Sequence, residues 1–317
     1  MPLDPSIAAL LSQVQAGPRE RILTADPAEL RERERHANAA VAPGTRIGVG
    51  SVADDTVPGP AGPVPVRVYR PAGDGASVEG AAATVVFFHG GGWIVGDLDT
   101  HDHVARRLCH DLGSVVVAVH YRRLPEHAFP AAFEDCLAAA WWTADHIDRY
   151  GGRRDRLALA GDSAGAALAA SVALAFRDAG EPLAAQFLAY PATDRSSRDY
   201  PSHTENAEGY LLTLQDLRDL TTILLGGDAS VATDVRASPL HAVSHEGLAP
   251  AVIATAAYDP LRDEGLAYAR ALQDAGVDVF VRTYGGLVHG FLNMFAVSEG
   301  AEAAVTELVR ELGARLR

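Results

Sequence analysis

With 317 residues, 48% hydrophobic and 21% charged, the chain has the composition of a soluble globular protein and the length for one large α/β domain or two small ones. Its formal net charge of −14 argues against nucleic acid and anionic membrane surfaces as partners, because binding phosphate needs clustered Lys and Arg. No apolar run reaches the roughly 18 residues of a membrane-spanning helix, and the N-terminal stretch lacks the basic start of a cleavable leader. A cytoplasmic protein with no membrane partner is expected. Cys109 and Cys136 carry no metal-ligand spacing and read as buried free thiols, in keeping with a reducing compartment.

Residues 7–15 and 27–40 predict two helices separated by Gly17-Pro18. Pro27 suits a first helical turn, and the alternating charges from Arg31 to Arg35 read as a solvated face. Residues 45–57 and 64–70 change to a strand pattern, and the Gly/Ala-rich stretch 71–83 reads as a mobile loop. A regular alternation follows. Strands are expected at 84–88, 114–120, 157–160, 185–190, 252–257 and 278–284, with helices at 98–112, 129–150, 166–176, 262–275 and 299–316. Strands joined by helical crossovers imply a mainly parallel sheet with helices on both faces, and the first strands form an antiparallel edge. Residues 191–250 interrupt this rhythm with a polar, turn-rich part at 194–208 and a helical part at 213–225. Connections this long form lids or binding loops. The expected organisation is therefore one domain over 1–317, with a cap built from about 1–44 and about 191–250.

The stretch Leu157-Ala-Leu-Ala-Gly-Asp-Ser-Ala-Gly165 places G-x-S-x-G between a strand and a helix. There the serine is held in a strained turn with its hydroxyl clear of the sheet. Ser163 is the candidate nucleophile. A serine hydroxyl needs a base, and the base an acid to orient it. Of the 12 histidines, only His289 lies in the last strand–loop–helix unit, with His241 and His245 as rivals. Asp259, which ends the strand at 252–257 just before Pro260, is the candidate acid, with Asp263 and Glu264 as runners-up. His89-Gly-Gly-Gly-Trp93 follows the strand 84–88 directly. Bare backbone N–H groups of Gly91 and Gly92, with that of Ala164, would form an oxyanion hole. No G-K-[ST] or G-x-G-x-x-G context supports a phosphate loop. His89 reads as a brace for the glycine loop, and Asp162 as a local hydrogen-bonding support.

These motifs, with Asp99-Thr-His-Asp102, Tyr121-Arg-Arg-Leu-Pro-Glu-His127, Glu208-Gly-Tyr-Leu-Leu-Thr213, Asp259-Pro-Leu-Arg-Asp-Glu-Gly265 and His289-Gly-Phe291, resemble the hormone-sensitive-lipase-like esterases. These are the bacterial, HGGG-containing family IV of the α/β hydrolases, and the resemblance spans nearly the whole chain. It implies the α/β-hydrolase fold and a small helical cap. It assigns Ser163 as nucleophile, His289 as base and acid, Asp259 as orienting acid, and Gly91, Gly92 and Ala164 as oxyanion donors. It also implies hydrolysis of short- to medium-chain carboxylic esters without cofactor or metal, and a homodimer through the last sheet edge. Trp93 and Tyr210 are candidate pocket walls. Asp99, His101, Asp102, Arg122, Glu126 and His127 read as buried scaffold. Arg123-Leu124 departs from the usual Leu-Ala of the family motif. An amidase, lactonase or deacetylase would share the same triad. A non-catalytic receptor on this fold would have lost the base that His289 supplies.

Overall fold

The computed structural model describes residues 2–14, 20–73 and 82–317. The expected break at Gly17-Pro18 and most of the expected 71–83 loop lie outside the described residues. In chain order the elements are α1 (Pro5–Val14), α2 (Pro27–Val41), β1 (Ser51–Gly59), β2 (Gly62–Arg70), β3 (Ala82–Phe88), α3 (Asp102–Leu112) and β4 (Val115–Val119). Then follow α4 (Ala131–His146), β5 (Gly152–Asp162), α5 (Ala164–Asp178), β6 (Ala185–Ala189), α6 (Pro201–Glu205) and α7 (Leu214–Leu225). The chain closes with β7 (Ala251–Tyr258), α8 (Arg262–Asp274), β8 (Val279–Val288) and α9 (Glu299–Arg315). Among the described residues no helix is long and apolar enough to cross a membrane.

The strands form one sheet in the order β1-β2-β4-β3-β5-β6-β7-β8. β2 runs antiparallel to both β1 and β4, and every pairing from β4 to β8 is parallel. The two-residue side-chain period of a strand divides the core. Val86, Phe88, Val115, Val117 and Val119 join one apolar cluster, with Cys136 and Ala140 of α4 and Leu168 of α5. Val85, Phe87, Val116 and Ala118 join the other, with Ile7, Leu108, Cys109 and Leu308. Both cysteines are buried and free, and burial pushes the Cys109 thiol up to about 12.

Several element boundaries differ from the sequence reading for local reasons. The helix expected from residue 98 begins at Asp102, because the Asp97 carboxylate accepts from the Asp99 and Thr100 N–H groups and holds a turn instead. The strand expected from residue 45 begins at Ser51, paired with Arg70, and Pro71 follows that partner. The helix expected to reach Tyr150 ends at His146 and gives way to one 3-10 turn. The last strand runs past Gly285-Gly286 to Val288, because Tyr258 pairs with Val288 after a register shift in which Gly285–Leu287 of β8 stand opposite Ala257. That extension delivers the chain to His289.

The charges of α2 are not simply solvated, in contrast to the expected open face. Arg31 donates to the Ile94 and Leu124 carbonyls and makes a bidentate pair with Glu126. Arg35 bonds Asp97 at 3.0 Å. On α7, the buried Asp219 carboxylate accepts from the Arg21 guanidinium and the Leu23 N–H. The N-terminal segment is thereby joined both to the loop after β3 and to the 191–250 insertion.

Candidate active site

β5 ends at Asp162 and α5 begins at Ala164, so Ser163 alone forms the turn between them. Its φ of 53° and ψ of −119° lie where side-chain-bearing residues are disfavoured, at a cost of about 1–3 kcal/mol. The surroundings impose this conformation. The Ser163 N–H donates to the Ala189 carbonyl of the neighbouring strand at 2.9 Å. A Cβ at Gly165 would strike the Phe88 carbonyl oxygen, so α5 approaches β3 this closely only with glycine there.

His289 and Asp259 stand just past the carboxyl ends of β8 and β7. The parallel order β5-β6-β7-β8 brings these ends to one edge of the sheet. His289 Nε2 lies 2.9 Å from Ser163 Oγ, and His289 Nδ1 lies 2.8 Å from Asp259 Oδ2. A carboxylate only accepts, so Nδ1 carries the proton and Nε2 is left to accept from the serine hydroxyl. Asp259 is fully buried, and its Oδ1 accepts from the Leu261 N–H at 2.8 Å. Burial disfavours the His289 imidazolium, yet the Asp259 carboxylate outweighs it by charge and hydrogen bond, with Asp162 and Glu264 adding to it. The His289 pKa is held above its ordinary value. A protonated His289 cannot take the serine proton, so kcat/KM is expected to fall as pH drops through an apparent pKa above the usual histidine value of about 6.5. A pH–rate profile checks this, and an acid limb below that value contradicts the geometry.

The rival residues are engaged elsewhere. His241 Nε2 bonds Asp194 at 2.9 Å, and His245 Nε2 bonds the Pro239 carbonyl. Asp263 pairs with Arg262 and accepts from the Ser202 N–H. Glu264 is buried against Arg195 and the Thr193 N–H, and burial raises it to about 7.

Phe88, the last residue of β3, pairs with Gly161 of β5, so the His89–Trp93 loop leaves the sheet beside Ser163. Gly91 and Gly92 adopt φ of 114° and 58°. The Gly91 carbonyl accepts from the Ile94 and Val95 N–H groups, which closes the loop on itself. A Cβ at Gly92 would lie 2.6 Å from Leu220, so α7 packs directly on the loop. His89 stacks on Tyr121 at 4.3 Å, and burial pushes its pKa down to about 3, which suits a brace and not a base. Trp93 lies in the core at 3% exposure beside Leu124 and Phe133. Tyr210 is half-buried with its ring 4.9 Å from Tyr258, which precedes Asp259.

Not all of the expected scaffold is buried. Arg122 pairs with the buried Asp135, and Asp102 with Arg106. Asp99, Glu126 and His127 are exposed, in contrast to the sequence reading, because each sits on a loop at the surface. Two residues at the site carried no sequence signal. Tyr190, at φ 38°, sets its ring edge-on to His289 at 4.7 Å. Asn206 donates its amide to the Ala257 and Asp259 carbonyls, tying the insertion to the loop that carries Asp259.

The α/β-hydrolase fold family matches residues 85–293 of this chain. A carboxylic ester hydrolase, LipN, of Mycobacterium tuberculosis is 41% identical over 99% of this chain and 83% of its own length. An ethyl acetate hydrolase of Pseudomonas putida is 36% identical over 98% of this chain and 99% of its own. The structure of a hyperthermophilic esterase from the archaeon Pyrobaculum calidifontis superposes with a TM-score of 0.92 at 37% identity, covering 99% of both chains. The chain therefore belongs to the α/β-hydrolase fold family, in its hormone-sensitive-lipase-like esterase branch.

Proposed function

We propose that the chain is a serine carboxylesterase that hydrolyses carboxylic esters of short to medium acyl chain through an acyl-enzyme. The observation that carries this reading is the continuous contact from Ser163 Oγ through His289 to Asp259. Ser163 Oγ attacks the ester carbonyl carbon while His289 Nε2 takes the hydroxyl proton, and Asp259 steadies the imidazolium that results. The oxyanion of the tetrahedral intermediate is received by the N–H groups of Gly91, Gly92 and Ala164. The intermediate collapses as His289 returns its proton to the departing alcohol. Water then attacks the acyl-serine with His289 again as base, and the carboxylic acid leaves. These steps use the chain's own residues and call on no cofactor or metal.

The names of the relatives support the substrate class, ethyl acetate pointing to the short end of the acyl range. The N-terminal segment and the 191–250 insertion would form the cap over the site. The Arg21–Asp219 pair and the Leu220 contact with Gly92 support this.

Incubation with a p-nitrophenyl alkylphosphonate tests the proposal, since an activated serine displaces the nitrophenol and keeps the phosphonyl group. The expected result is one phosphonyl group per chain, on the peptide bearing Ser163, with loss of p-nitrophenyl butyrate turnover in proportion. An enzyme that stays unlabelled and active, or is labelled elsewhere, overturns it.

A further inference from the structure

Beneath the His89–Trp93 loop lies a buried ionic contact that the proposed chemistry does not use. His101 Nε2 approaches Asp162 Oδ1 at 3.4 Å, with both side chains about 4% exposed. The Thr100 hydroxyl accepts from the Asp97 N–H and lies 2.9 Å from both the Asp97 carbonyl and His101 Nδ1. With its single proton on the Asp97 carbonyl, Nδ1 donates to the hydroxyl, and the second N–H, at Nε2, points to the Asp162 carboxylate, which is the arrangement of an imidazolium. Burial works against both charges, yet each partner sustains the other, with His101 above its ordinary value and Asp162 below its own. Glu34 and Asp97 also favour the cation. The rings of His89 and Phe87 pack within 5.6 and 6.1 Å of it, and His103 follows on α3.

Asp162 reaches the site from two directions. Its Oδ1 accepts from the Gly90 N–H at 2.8 Å, while Tyr121 donates to the carbonyl of the same peptide group, that of His89, at 2.7 Å. The peptide plane that leads into Gly91 and Gly92 is thus pinned at both ends. Its Oδ2 accepts from Tyr190 at 3.4 Å, and the Tyr190 ring abuts His289. The groups that face His289 are Asp259 after β7, Asp162 ending β5, Tyr190 after β6, Ser163, and Glu264 on α8.

We propose that His101 and Asp162 form a buried imidazolium–carboxylate positioning pair that orients the oxyanion loop through the Gly90 N–H and sets the field at His289. The inference rests on Ser163 and His289 acting as proposed above. Without the cation, the Asp162 carboxylate loses the partner that holds it against Gly90, and the donors at Gly91 and Gly92 lose their alignment. Without the carboxylate, His289 loses a negative neighbour.

The test compares His101→Gln and Asp162→Asn with wild type, following kcat and KM for p-nitrophenyl butyrate across pH alongside thermal unfolding. His101→Gln is expected to lower kcat roughly tenfold to a hundredfold with KM little changed, as loss of transition-state alignment does. Asp162→Asn is expected to shift the acid limb of kcat/KM to lower pH. A purely structural pair would lower the unfolding temperature and leave that limb in place. Wild-type kcat in the folded His101→Gln enzyme, or an unmoved limb in Asp162→Asn, overturns the inference. If a variant does not fold, 15N spectra of wild-type protein decide. Both ring nitrogens of the histidine assigned to position 101 should stay protonated to a higher pH than the usual histidine value of about 6.5, and a ring that is already neutral below that pH overturns the pair. Ser163→Ala separates the two readings, since its failure to abolish turnover overturns the serine mechanism itself.

Discussion

Ser163→Ala is expected to lower kcat for p-nitrophenyl acetate and butyrate by about 10⁴-fold or more, with KM little changed. The hydroxyl oxygen is the only heavy atom removed, and its one described hydrogen bond is with His289 at 2.9 Å. The backbone at 163 is held by the Ala189 carbonyl and by the Ala167 and Ala192 N–H groups that bond to the Ser163 carbonyl. These contacts persist with alanine, so the elbow and the His89–Trp93 loop stay in place. Substrate still binds and polarises, which is why some rate above the uncatalysed reaction should remain. Steady-state kinetics with a thermal melt on the same protein checks both halves of the expectation. Turnover within tenfold of wild type in a folded variant rules Ser163 out as nucleophile.

Asp259→Asn should be nearly as costly, at about 10⁴-fold in kcat, for a reason that the local geometry makes specific. Asp259 Oδ1 accepts from the Leu261 N–H and Oδ2 from His289 Nδ1. In asparagine the carbonyl oxygen is claimed by the Leu261 N–H, so the amide NH₂ faces His289. Two donors cannot face each other, and the ring moves its proton from Nδ1 to Nε2. Nε2 can then no longer accept from Ser163. The substitution also removes the charge that favours the imidazolium, so the residual activity should show its acid limb at lower pH than wild type. Asp263→Asn is the matching control. Asp263 pairs with Arg262 and Ser202, and its loss is expected to leave kcat and the acid limb unchanged. If Asp263→Asn were the dead variant and Asp259→Asn the active one, the orienting acid would have to be reassigned.

The buried strands and the helices between them were legible because their apolar periods are strong, and because Pro and Gly mark most of their ends. The errors arose where a local contact outside the pattern decided the backbone. Asp97 caps its own turn and delays α3 to Asp102. Pairing with β7 carries β8 through two glycines that, taken alone, should end a strand. Arg31 and Arg35 show the same limit on the side-chain level. An alternating charge run looks solvated until the carbonyls of Ile94 and Leu124 and the carboxylates of Glu126 and Asp97 are placed beside it.

The sequence by itself determined the candidate nucleophile, base and acid. Each sits at a strand end, where chain order and turn chemistry restrict which residue types can act, and G-x-S-x-G between strand and helix leaves one serine in question. Only the tertiary structure decided that the three meet. Ser163 and His289 are 126 positions apart, and their contact depends on the lateral order of four parallel strands, which is set by packing on both sheet faces and not by any local signal. The same holds for Tyr190 and Asn206, and for His101 against Asp162. A buried hydrogen bond between distant segments leaves no period in either one, so these contacts appear only when the sheet has been assembled.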